Sequence, residues 1–198
     1  MKVAILTFEG FNELDSFIAL GILNRLRDKG LQVQITGPSP KITSMNGVKI
    51  DVQQELEFAG KADAVLFGSG IYTREISQDS SILNRIKLDP NRQLIGAQCS
   101  GTLLMAKLGL IKDLPACTDL TTKPWAIEAG IKIIDAPFYA DKNLSTAGGC
   151  MSSQYLAAWT IAKLFNEEEA AKAIYYVAPV GQKEEYVDMI MKVVKKFL

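Results

Sequence analysis

The chain has 198 residues and a mass of 21.7 kDa, enough to bury a sizeable core of its own as one domain over residues 1–198. Lysine plus arginine number 22 and aspartate plus glutamate also 22, so no overall field draws the chain to nucleic acid or to an anionic membrane surface. Histidine is absent, which excludes Ser-His-Asp and ordinary Cys-His hydrolysis together with every imidazole base, relay or metal ligand.

The opening run from Val3 to Phe8 stops at Glu9-Gly10, too soon for a signal peptide, and reads as a buried first strand over residues 2–8. Phe11, Leu14, Phe17, Ile18, Ile22 and Leu26 then recur at helical spacing up to Lys29-Gly30, a basic last turn with a glycine stop. A second strand, Gln32 to Thr36, ends at Gly37-Pro38-Ser39-Pro40. Ile42 to Met45 and Val48 to Val52 flank Asn46-Gly47, the strongest short hairpin signal. Ala64 to Phe67 is a strand leading through Gly68-Ser69-Gly70 into a helix expected from about Thr73 to Leu88, where Asp89-Pro90 stops it. Leu94 to Ala97 repeats the theme, and Ser100 to Leu110 is apolar on nearly every side, as a central buried helix would be.

Beyond Pro115 the pattern gives a short helix at Trp125 to Ala129 and strands near Ile131 to Ile134, Pro137 to Ala140 and Asn143 to Thr146. Helical spacing returns from Met151 to Phe165, Asn166 reads as an N-cap before the acidic turn Glu167 to Glu169, and Glu184 to Leu198 closes the chain as an amphipathic helix. This alternation implies an α/β fold with a mostly parallel sheet covered on both faces and a small β-hairpin excursion. Ligands then bind at the carboxyl ends of the strands, where the loops Glu9 to Asp15, Gly68 to Tyr72 and Gln98 to Gly101 converge.

Cys99 lies at a strand-to-helix junction with Ala97 before it and Ser100-Gly101 after it, the small-residue setting of a nucleophile elbow. A helix N-terminus there is expected to favour the thiolate. Gly68-Ser69-Gly70 ends the neighbouring strand, so the amides of Gly70 and Ser100 are candidates for an oxyanion hole. Without histidine the thiol's partner must be a carboxylate. Asp15 falls beside the apolar stripe of the first helix and Glu13 further from it, which favours Asp15. A desolvated carboxyl near a thiol exchanges protons with it and with substrate. Cys117, Trp125 and Trp159 read as structural. No Cys-x-x-Cys pair occurs, so a zinc site would need scattered carboxylates, and neither metal nor cofactor is expected. Sparse cysteines and the lack of an apolar run of about 18 residues suit a reducing compartment, the cytoplasm, with no membrane span.

Phe11-Asn12-Glu13-Leu14-Asp15, Ser44-Met45-Asn46-Gly47, Asp63 through Glu75, Gly96-Ala97-Gln98-Cys99-Ser100-Gly101, Thr121-Thr122 and Ala147-Gly148-Gly149 together resemble the ThiJ/PfpI (DJ-one) superfamily over most of the chain. Within it the sequence is most similar to the isocyanide hydratase branch and to the ligand-sensing domains of related transcriptional activators. The resemblance implies a flavodoxin-like three-layer sandwich with the class I glutamine amidotransferase fold, a homodimer, an elbow nucleophile at Cys99, an acidic partner at Asp15 and an oxyanion site at Gly70 and Ser100. It also marks departures: Lys123 stands where relatives carry histidine, Tyr72 replaces a family glycine and can narrow the pocket, and Cys150 can line that pocket or pack as a small hydrophobe. The expected activity is hydration or hydrolysis of a small-molecule electrophile, with isocyanide hydration needing no imidazole and amide or peptide hydrolysis less favoured. The alternative is a redox-sensing binding protein with an oxidisable Cys99. A ligand-sensing transcription-factor domain is disfavoured by the balanced charge and by the lack of an appended helix-turn-helix segment.

Overall fold

The computed structural model describes residues 1–198. Its elements are β1 (Lys2–Leu6), α1 (Glu13–Leu23), β2 (Gln32–Gly37), β3 (Lys41–Thr43), β4 (Lys49–Asp51), β5 (Gln54–Glu55), β6 (Ala64–Phe67), α2 (Thr73–Ile76) and α3 (Ser80–Leu83). They continue with β7 (Leu94–Gln98), α4 (Gly101–Lys107), α5 (Lys123–Glu128), β8 (Phe138–Asp141), β9 (Leu144–Ala147), α6 (Ser153–Leu164), α7 (Glu167–Val177) and α8 (Lys183–Val194). Seven strands form one sheet in the order β5-β2-β1-β6-β7-β9-β8. All neighbours are parallel except β8 and β9.

The period of two along β1 separates the two cores. Val3 and Ile5 face a cluster that includes Leu23, Leu156, Trp159 and Ile174, while Ala4 and Leu6 face one that includes Leu56, Phe67, Leu104 and Met105. Helices α1, α6, α7 and α8 thus cover one face, and α4 and α5 the other. The result is the mostly parallel α/β sheet covered on both faces that the alternation predicts, arranged as the flavodoxin-like sandwich that the resemblance implies. Gly96 lets Leu156 approach β7, since a Cβ there would meet Leu156 Cδ1 at 2.5 Å. β1 lies between β2 and β6, so the chain changes winding direction at its carboxyl end, where an open α/β sheet leaves a crevice.

The small hairpin forms as expected: β3 and β4 pair antiparallel around Asn46-Gly47, with Gly47 at φ 86°. Asn166 caps α7 by accepting a hydrogen bond from Glu169 N at 2.9 Å. Three expectations need correction. The helix from Thr73 to Leu88 is broken into α2 and α3, because Ser77 Oγ donates back to Arg74 O (2.6 Å) and the Asp79 carboxylate accepts from Ser81 N (2.8 Å), local bonds that compete with helix continuation. Ile131 to Ile134 is no strand of the sheet: Ile131 and Ile133 pack on the core beneath α4, and the only β-pairing is an isolated bridge between Ala116 and Ile133. Leu14 is 50 % exposed rather than part of the buried stripe, and α1 gives way to a 3-10 segment at Asn24–Lys29 before the glycine stop at Gly30. No helix is long and apolar enough to cross a membrane.

Candidate active site

The site assembles from the loops that follow β1, β6, β7 and β9. After β1, Gly10 turns the chain at φ 73° beneath Tyr72, whose ring would lie 2.5 Å from any Cβ at that position. Asn12 then caps α1, accepting from Leu14 N at 3.1 Å. This cap puts Asp15 in the first turn with its side chain inward, 2 % exposed. Ser69 Oγ donates to Asp15 Oδ2, whereas Asp15 Oδ1 is buried with no hydrogen-bond partner. Glu13 leaves the site: Ser44 Oγ donates to one of its oxygens and Asn46 Nδ2 to the other, the latter at 2.9 Å, so it ties the hairpin to α1. Those bonds, the one from Ser44 foremost, hold the Glu13 carboxyl below its ordinary range. Geometry therefore separates the two acids, and Asp15 is the one that faces the thiol.

Cys99 follows β7 on a bend at φ 48°, a left-handed conformation that costs a non-glycine residue roughly 1–2 kcal/mol. Its N–H donates to Ala147 O and its C=O accepts from Thr118 Oγ1, both at 2.8 Å, which pins the strained residue from two sides. Gly101 permits the bend because a Cβ there would sit 2.7 Å from the carbonyl oxygens of both Phe67 and Gly68. The Cys99 and Cys150 sulfurs and a carboxylate oxygen of Asp15 all lie within 4.8 Å of one another. Gln98, which the sequence marked only as part of the loop, donates from Nε2 to Cys99 Sγ (3.4 Å) and to Gly149 O (2.7 Å). Asn12 Nδ2 likewise donates to Cys150 Sγ at 3.2 Å.

The electrostatics reverse one expectation. Burial first, and the Asp15 carboxylate second, push the Cys99 thiol far above the ordinary thiol range. Burial also raises the Asp15 carboxyl, against the hydrogen bond from Ser69. Both groups resist ionising together, so the carboxylate opposes the thiolate, and transfer of a proton from sulfur to carboxylate is the step that would create the nucleophile.

The remaining candidates fall differently. The Gly70 N–H already donates to Ser100 Oγ (3.2 Å), and that hydroxyl donates to Thr73 Oγ1 (2.8 Å), so an incoming anion must displace Ser100 Oγ to use Gly70. The Ser100 N–H has no backbone acceptor. Gly70 is glycine because a Cβ would meet Gly10 O at 2.5 Å. Tyr72 stands 47 % exposed over Gly10. Lys123 Nζ is held by Asp135 at 2.6 Å, whereas the groups that push the Cys99 thiol up after burial are Asp15, Asp119 and Cys150. Cys117 is fully buried and its thiol is pushed up to about 11 by burial. Cys150 is more than packing, since it belongs to the trio. Two thiols and a carboxylate are also the one donor group able to share a metal ion, and it comes from convergence of two cysteines that the sequence spacing does not reveal.

None of the curated proteins compared with the sequence matches it. Solved structures match the fold. Schizosaccharomyces pombe DJ-1 is 15 % identical with a TM-score of 0.76, covering 90 % of this chain and 100 % of its own. A DJ-1 superfamily protein from Salmonella typhimurium, solved as a cysteine-to-alanine mutant, is 20 % identical with a TM-score of 0.77, covering 89 % and 97 %. Drosophila melanogaster DJ-1beta is 19 % identical with a TM-score of 0.76, covering 89 % and 96 %. The sequence model of the DJ-1/PfpI family matches residues 1–163, from β1 through α6. With an elbow cysteine and a buried acid at the switch point of the sheet, the chain belongs to the DJ-1/PfpI family.

Proposed function

We propose that the chain is a cysteine-dependent hydratase or hydrolase of a small electrophile, with Cys99 as nucleophile and Asp15 as its proton partner. The observation that carries this reading is a buried carboxylate within 4.8 Å of a thiol on a strained elbow. Hydration of an isocyanide suits the pair best. Asp15 takes the Cys99 proton, the thiolate attacks the terminal carbon, and Asp15 returns the proton to that carbon to give a thioimidate. Water then adds, the carbon–sulfur bond breaks, and the product is an N-substituted formamide, with the thiol restored. No poor leaving amine has to be expelled, the step for which a site without imidazole is least equipped. The Ser100 N–H, joined by Gly70 once Ser100 Oγ is displaced, would stabilise charge that develops during water addition.

Balanced charge and free cysteines support an intracellular setting, the cytoplasm, with no role in nucleic-acid binding. A second copy of the chain is the proposed partner. An apolar groove lined by Phe17, Ile18, Met151, Tyr176, Val177 and Tyr186 beside the site helices supports a homodimer. The test is turnover of aliphatic and aromatic isocyanides, with small dicarbonyls in parallel, by the wild type, Cys99→Ala and Asp15→Asn. Formamide production that both substitutions abolish is the expected result. Turnover by Cys99→Ala, or none by the wild type on either class, would overturn the reading.

A further inference from the structure

The chemistry above uses one thiol, yet two meet at the site. Cys150 opens a one-turn 3-10 segment, Cys150–Ser152, directly after Gly149, and is half-buried where Cys99 is buried. Their backbones are neighbours through the sheet: Gln98 pairs with Ala147, and the Cys99 N–H is bonded to Ala147 O. Between Ala147 and Cys150 lie two glycines of opposite character. Gly148 is wedged against Thr118, whose carbonyl oxygen would lie 2.5 Å from a Cβ, while Gly149 holds φ 87° with open space where a Cβ would be. Cys150 therefore follows this glycine pair directly, beside a fixed Cys99. From a sulfur separation of at most 4.8 Å, a bond of about 2.05 Å needs a closing movement of under about 3 Å, within reach of side-chain rotation at the half-buried Cys150 with a small backbone adjustment.

We propose that Cys150 is a resolving thiol, which traps Cys99 after its oxidation by a hydroperoxide and closes an intramolecular Cys99–Cys150 disulfide that reversibly silences the nucleophile. The inference rests on the reading of Cys99 as a reactive thiol. In the first step Asp15 accepts the Cys99 proton, the thiolate attacks one peroxide oxygen, and the O–O bond breaks. The proton leaves with the alcohol or water, and Cys99 becomes a sulfenic acid. In the second, Cys150 passes its proton to Asp15 and attacks the Cys99 sulfur. The S–S bond forms, the S–O bond breaks, and hydroxide departs with the Asp15 proton as water. Each hydroperoxide is reduced by two electrons and the two thiols are oxidised by two.

Proximity and charge both favour this outcome over further oxidation. An intramolecular thiol has a high effective concentration at the sulfenic acid. A sulfinate at Cys99 would place a permanent negative charge in the same buried group as the Asp15 carboxylate, whereas the disulfide is neutral. Cys117, outside the trio, has no part in either step.

Peptide mapping of the chain after stoichiometric hydrogen peroxide, with free thiols alkylated and no reductant, tests the inference. The expected result is a Cys99–Cys150 cross-linked peptide lighter by two hydrogens, only Cys117 alkylated, and both thiols recovered after dithiothreitol. In Cys150→Ser the same dose should add one oxygen to Cys99, and second and third equivalents should carry it on to two and three oxygens. A wild type in which Cys99 gains oxygens while Cys150 stays open to alkylation overturns the proposal. Alkylation of Cys99 without peroxide separates the two readings. If Cys99 alkylates but no cross-link forms, the resolving role alone falls, and if Cys99 neither alkylates nor oxidises, the nucleophile reading falls with it.

Discussion

Replacing Asp15 by asparagine should make Cys99 easier to ionise while destroying turnover. Two unit charges 4.8 Å apart interact by about 3.5 kcal/mol at an effective dielectric of about 20. Because 4.8 Å is the outer limit of the trio, that figure is a floor, and it corresponds to a factor of several hundred in thiolate population. The Asp15→Asn side chain keeps the volume and the bond to Ser69, so the desolvation of the thiol is unchanged and the Coulombic part alone disappears. The assay is the rate of Cys99 alkylation by iodoacetamide across pH, resolved from Cys117 and Cys150 by peptide mass spectrometry. The variant profile should lie at lower pH than the wild type, with rates at a fixed alkaline pH several hundredfold higher or more. Slower alkylation of Asp15→Asn at every pH would show that Asp15 supports the thiolate in the resting protein, and would refute the reading that its carboxylate opposes the thiolate.

The same buried acid taxes the fold. Burial raises the Asp15 carboxyl above its ordinary 3.8, so the folded chain holds this proton more tightly than the unfolded chain, and the stability that this contributes is complete below the ordinary value and lost as pH rises through the folded one. Asp15→Asn should accordingly melt higher than the wild type at neutral pH, by about 2–4 °C for each kcal/mol relieved, with the difference fading near pH 4. At the elbow, Cys99→Gly should be more stable than Cys99→Ala by about 1 kcal/mol in urea unfolding, since only glycine is free of the left-handed strain. Equal stabilities would mean the bend is unstrained. Gly101→Ala should cost roughly 1–3 kcal/mol or more, because its Cβ meets two backbone carbonyls that have nowhere to move.

Much of this was legible in the sequence where a local pattern and its tertiary use coincide. The runs at β1, β6 and β7 are buried on both faces, and the glycines that follow them are required by close approach, as at Gly70 and Gly101. Asn46-Gly47 and the Asn166 cap act through bonds a few residues long, so their signals suffice alone. The acid could be chosen from helical phase because the Asn12 cap fixes where α1 starts. What stayed hidden depends on contacts far apart in sequence. The approach of Cys150 to Cys99 follows from strand pairing between β7 and β9, and Gln98 acquires its role only because Gly149 lies opposite it. The thiol's direction differs from the expectation because a helix start is a local signal, whereas the burial of Cys99 and the charge of the Asp15 carboxylate that outweigh it act through packing. Likewise Thr73 to Leu88 has helical spacing, and side-chain bonds at Ser77 and Asp79 interrupt it.

The central claim is that Cys99 bonds to substrate carbon with Asp15 handling the proton. The most direct measurement is rapid quenching of the protein during isocyanide turnover, followed by mass analysis of the Cys99 peptide. The account predicts a thioimidate adduct of substrate mass on Cys99, formed and discharged at the rate of turnover in the wild type and formed far more slowly in Asp15→Asn. Formamide appearing with Cys99 unmodified throughout, or with the adduct on Cys150, would contradict it.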